Sequence, residues 1–149
     1  MGLDQNASTF SRKDVNNPNI MGLDQYAATF SRKYVNNPDA GADLTITEGV
    51  EPSELSYWRK HPYLQGWMEK LYYDKGGKAE SFNCVNVRLD EDDLNRLKED
   101  VESGSLPETD GFFFGDDSCE HYKEQDLKFI NDALEAIKDG RIVIYDSWW

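Results

Sequence analysis

The sequence is poor in the residues from which most metal and redox centres are built. It contains two cysteines, Cys84 and Cys119, and two histidines, His61 and His121. Two cysteines give no disulfide framework, and the chain reads as a soluble cytoplasmic protein with reduced thiols. These soft ligands would fill one tetrahedral zinc site with none to spare, yet no CxxC or HxxxH pair occurs. Cys119 and His121 stand two apart in "DDSCEHY", which points them away from each other on a helix. No metal and no cofactor is therefore expected. The phosphate-cradling signatures GxGxxG and GxxxxGK[ST] are missing, as are GxSxG and HExxH. No apolar run approaches the roughly 20 residues that span a bilayer. The N-terminus lacks the basic-then-apolar order of a secretory signal.

Positive charge is also scarce. Sixteen Lys and Arg face 29 Asp and Glu, a net charge of −13. Such a surface repels phosphate backbones and anionic lipid, so neither nucleic acid nor membrane is an expected partner. It suits a protein partner with a basic surface, or simply solubility. What the chain does have is aromatic mass: 4 Trp, 8 Tyr and 7 Phe in 149 residues. That argues for one packed domain and against an acidic disordered tail.

Residues 1–20, "MGLDQNASTFSRKDVNNPNI", are restated at 21–40 as "MGLDQYAATFSRKYVNNPDA", with changes only at Asn6/Tyr26, Ser8/Ala28, Asp14/Tyr34, Asn19/Asp39 and Ile20/Ala40. A solenoid needs about three or more units and nothing later repeats this period. Tyr26 and Tyr34 offer area that a core can bury, where the first copy has Asn and Asp. The expectation is a weakly packed duplicate at 1–20 and a domain over 21–149.

Residues 23–30 read as a strand and 39–54 as a loop, with Leu44–Ile46 as a short strand. Ser53 reads as the N-cap of a helix over "ELSYWRK". Pro62 breaks it and opens a second helix with Leu64, Trp67, Met68 and Leu71 on one face, ended by "DKGGK". "FNCVNVRL" (82–89) reads as a strand with Val85, Val87 and Leu89 on one side. Asp90 caps a helix with Asp93 completing a capping box, Leu94, Leu97 and Val101 as its stripe, and Gly104 and Pro107 ending it. "GFFFG" (111–115) is a short strand or crossing. A last helix over about 118–138 carries Leu127, Ile130, Leu134 and Ile137, and "RIVIYDSWW" closes a central strand. The fold class this predicts is α+β: a small, mainly antiparallel sheet with about three to four helices packed on one face.

The richest stretch for recognition is "YWRKHP" (57–62). Trp58, Arg59, Lys60 and His61 together suit an anion or a partner's acidic side chain, although Arg59 and Lys60 equally suit pairing with the chain's own carboxylates. Phe113, Asp116 and Asp117 form a second candidate group. The two carboxylates suit a cation or acid–base work, or simply the N-terminal end of the last helix.

"MGLDQYA" (21–27), "ELSYWRKHPYLQGWMEKLY" (54–72), "FNCVNVRL" (82–89), "LPETDGFFFGD" (106–116) and "YDSWW" (145–149), in this order, are similar to a group of small "GLDMY"-type proteins of bacteriophages, prophages and marine viral sequence. The resemblance spans essentially 21–149. Gln25 stands where Met is common in the group, and Cys119 and His121 stand where acidic and aromatic residues are usual. The resemblance implies viral origin and a shared fold, and carries over no reaction, ligand or catalytic residue. Together with the acidic charge it implies a phage accessory protein that binds and modulates a host protein. The alternatives are a small-ligand binder or enzyme using His61 or His121 with Asp116 and Asp117, and a virion accessory protein.

Overall fold

The computed structural model describes residues 23–106 and 119–149, with side chains from residue 122 onward in the second segment. The strands are β1 (Asp24–Ser31), β2 (Ser53–Arg59), β3 (Asn86–Leu89) and β4 (Arg141–Trp148). The helices are α1 (Pro62–Asp74), α2 (Glu91–Ser103) and α3 (Cys119–Lys138), and a 3-10 turn over Arg32–Tyr34 follows β1. The strands form one antiparallel sheet in the order β2-β1-β4-β3, so the arrangement is α+β.

The sheet has two differently covered faces. Along β1, Leu23, Gln25, Ala27 and Thr29 are buried while the residues between them are half-buried, the period of two that strand geometry imposes. With Trp58, Val87, Leu89, Val143 and Tyr145, Ala27 packs against Leu64 and Met68 of α1, Leu94 and Leu97 of α2, and Phe129 and Ile130 of α3. Each fully buried large apolar side chain here contributes about 1.5–3 kcal/mol. On the other face, Ile142 and Ile144 are covered by a loop whose Val35 and Leu44 form a second small core. β4 is thus buried on both sides from Ile142 to Tyr145, as its unbroken apolar run predicts. Among the described residues the loop covers one end of that face. At the other end lie Tyr26, Tyr57, Asp24, Asp146 and Trp148, all half-buried or exposed.

Several elements follow their local signals. Pro62 opens α1, and Asp90 and Asp93 form a reciprocal capping box on α2. Gly104 takes the left-handed conformation at the C-terminus of α2 (φ 72°) that a side chain would strain. Gly77, in the loop after α1, lies so close to the Tyr72 ring that a Cβ there would stand 2.2 Å from it.

Four expectations are corrected. Ser53 caps no helix: 53–59 is β2, paired with β1. A bulge hides its alternation, since Ala27 faces Ser56 but Ala28 faces Glu54, leaving Leu55 as the extra residue. Only Asn86–Leu89 of 82–89 is strand, because Cys84 adopts a left-handed backbone (φ 64°) that breaks the extension. The buried stripe of α3 is rotated: Asp126, Phe129, Ile130 and Ala133 are buried, whereas Leu127, Leu134 and Ile137 pack only at its margin. Leu44–Ile46 forms no strand but a single bridge from Ile46 to Val35.

Contrary to expectation, Tyr26 and Tyr34 do not build the main core. Tyr34 is exposed and Tyr26 points to the loop-side face, so neither supplies the helix-side core. The residues of β1 that do, Leu23, Gln25, Ala27 and Thr29, have identical counterparts in the first copy, Leu3, Gln5, Ala7 and Thr9. Residues 1–20 themselves, "GFFFG" and the beginning of the last helix at 118 lie outside the described residues.

Candidate functional site

Strand alternation divides "YWRKHP" between the two sides of the sheet. Trp58 turns inward and is 1% exposed, while Tyr57 and Arg59 turn outward and are exposed. Lys60 has a left-handed backbone (φ 61°), held by its N–H donating to the carbonyl of Leu23 at 2.8 Å. That turn sends His61 back into the interior, where it is fully buried. The stretch therefore makes no single gripping surface. Phe113, Asp116 and Asp117 lie outside the described residues, as does the side chain of His121.

Trp58 and His61 are brought together by a residue that the sequence reading passed over, Asp126 of α3. The Trp58 indole donates to its Oδ1 at 2.8 Å, and His61 Nε2 lies 2.8 Å from its Oδ2. Asp126 is itself 1% exposed, so both oxygens are satisfied inside the core. The His61 ring stacks on Tyr122 at 4.1 Å, and Trp58 meets Phe129 edge-on at 5.1 Å. A second polar chain adjoins this one. Gln25 donates to the carbonyl of His61 and to the Tyr145 hydroxyl, and accepts from the His61 N–H. Tyr145 in turn donates to Gln65 at 2.6 Å. Burial, foremost, drives the Tyr145 hydroxyl far above its ordinary pKa, so it acts as a neutral donor. His61 Nδ1 has no hydrogen-bond partner among the described residues. The helical phase of Asp126 was the available signal: it stands three, four and seven residues before Phe129, Ile130 and Ala133 on one stripe. A carboxylate on such a stripe must have partners inside.

The open end of the loop-side face has different chemistry. Tyr26 is directly opposite Asp146, and Asp24 directly opposite Trp148, in the β1–β4 register. On the outer side of β1, Tyr57 pairs with Tyr26, their rings 5.1 Å apart, and donates to Asp24 at 2.5 Å. Burial, then the Asp24 hydrogen bond and charge, pushes the Tyr57 hydroxyl up to about 12. Burial and the charges of Asp24, Asp146 and Glu54 likewise raise Tyr26. Asp146 is desolvated by burial, and its carboxyl is raised from 3.8 to about 6.

Two further features have charged groups paired within the chain. Three arginines, Arg32, Arg88 and Arg141, line a shallow cleft of about 170 Å³ together with Asp90. Arg32 pairs with Asp39, and Arg141 donates to Thr29. In the first turn of α2, buried Asp93 is gripped by Lys75 and Arg96. Among the described residues no group of three or more His, Cys, Asp or Glu could hold a metal ion, and no helix is long and apolar enough to cross a membrane. No family model, curated protein or solved structure matches the chain.

Proposed function

We propose that this chain is a phage-encoded accessory protein that binds a basic surface on a host protein and modulates that protein. The observation that carries the reading is the open end of the loop-side sheet face, where Tyr26, Tyr57 and Trp148 alternate with Asp24 and Asp146. Aromatic rings beside carboxylates are the chemistry of protein contact with cationic side chains. The charge of −13 extends this attraction beyond the patch and speeds encounter with a basic partner. The polar cluster around His61, by contrast, is enclosed and bonded to itself, which suits a structural role. The resemblance to small phage proteins supports the viral setting.

The test is capture from host lysate on the immobilised chain at two ionic strengths. The expected result is a specific partner with a basic contact surface, retained at low salt and progressively lost as salt rises. Recovery of no specific partner would remove the main support for this reading.

A further inference from the structure

We infer that the open end of the loop-side sheet face holds a binding site for one arginine side chain of a partner protein, between the carboxylates of Asp146 and Asp24 and the rings of Tyr26 and Trp148. The inference rests on the docking reading above and names the chemistry it recognises.

The strand register builds the site. Asp146 and Trp148 are two apart on β4 and share a face; Asp24 and Tyr26 do the same on β1. Antiparallel pairing sets Tyr26 against Asp146 and Asp24 against Trp148. The result is a checkerboard in which each carboxylate has a ring across from it and another beside it along its strand; Asp24 also has Arg59 across from it on β2 and accepts from Tyr57, which leaves Asp146 as the carboxylate that an incoming cation would pair with. Directly opposed and diagonal neighbours on a sheet face lie within about 5 to 8 Å, the span of a guanidinium with its hydrogen bonds. Tyr57 extends the aromatic side by its contact with Tyr26.

Asp146 marks the missing partner. Among the described residues its carboxylate accepts no hydrogen bond and joins no ion pair, although Asp93, the other carboxylate there whose pKa is shifted by its surroundings, has Lys75, Arg96 and a backbone N–H. Asn86, across from Asp146 on β3, gives its amide to Leu44 instead. A half-buried carboxylate without a donor is costly unless something arrives to pair with it. Arginine fits better than lysine. Its flat guanidinium stacks on a ring while its edge donates to a carboxylate in two parallel bonds.

The experiment is titration of the full chain with N-acetyl-arginine amide and with its citrulline counterpart, which keeps the shape and loses the charge. Binding is followed by two-dimensional amide and indole NMR. The expected result is saturable binding of the arginine compound, with shifts at Tyr26, Asp146 and the Trp148 indole. Asp146→Asn should weaken it at least tenfold, and Tyr26→Leu severalfold, both variants remaining folded by the dispersion of their spectra. Equal binding of the citrulline compound, or undiminished binding to Asp146→Asn, would overturn the site. A captured partner indifferent to Asp146→Asn overturns the site and leaves the docking reading standing. Arginine binding without any captured partner does the reverse. Self-association that Asp146→Asn abolishes would assign the face to a second copy of this chain and overturn the choice of partner.

Discussion

Asp126 and Asp146 show two fates of a carboxylate removed from water. Asp126 accepts the Trp58 indole and meets the His61 ring, so its burial is compensated. Replacing it by Ala strands both donors, and Asp126→Ala should lower unfolding free energy by about 3 kcal/mol or more in urea titrations. Asp126→Asn keeps one acceptor for the indole and should cost less. Asp146 has no such partners among the described residues. The groups facing it are Asp24 and Tyr26 on β1, Asn86 and Arg88 on β3, and Trp148 on its own strand, with Tyr57, Arg59 and Glu54 beyond β1. Its carboxyl is raised from 3.8 to about 6, so between these values the folded chain holds a proton that the unfolded chain releases. Stability from this group therefore falls as pH rises through that window. Asp146→Asn should raise stability at neutral pH by about 1–3 kcal/mol, with the gain vanishing near pH 4, as read from thermal midpoints across pH. Asp93 behaves oppositely. Desolvation pushes it up, but the Asp90 N–H and Lys75 outweigh this and hold it below its ordinary value. Its contribution is present above the usual carboxylate range and is lost as pH falls through its depressed value.

At the scale of elements, what could be read in the sequence was what is decided locally. Capping of α2, the proline start of α1 and the continuous apolar run of β4 all depend on residues within one turn or one strand. Asp90→Ala should cost about 1 kcal/mol by removing one half of the capping box, measured by chemical denaturation. β2 was illegible for the opposite reason. "SELSYWR" mixes residues that favour helices with those that favour strands, and the bulge at Leu55 breaks the alternation that would have settled the matter. Pairing with β1 decides it. Hydrogen exchange should show alternating protection along 53–59, as an edge strand with one neighbour requires, and not the continuous protection of a helix. The candidate site was legible only in part. The splitting of "YWRKHP" follows from strand alternation, which a helical reading cannot see. The juxtaposition of Asp146 with Tyr26 depends on a register between residues 120 apart in sequence, which no local pattern encodes.

At the scale of the whole molecule, the duplicated opening and the charge meet on one face. Of the five differences between the copies, those at Tyr26 and Ala28 fall on the outward side of β1, and none falls on its buried side. What the second copy adds is therefore surface character, including one ring of the proposed arginine site. The charge of −13 gives attraction for a basic partner over a Debye length of about 8–10 Å, and the aromatic patch gives that attraction a place to act. The most direct test separates these two contributions. The affinity of a captured partner is compared for wild type, for Tyr57→Ala/Asp146→Asn on the open face, and for Asp132→Asn on the solvent side of α3, which makes the same change in net charge. The account predicts at least a tenfold loss for the open-face variant and less than a twofold change for the helix variant. Equal losses in both would mean that overall charge alone holds the partner, and would contradict a docking site on the sheet.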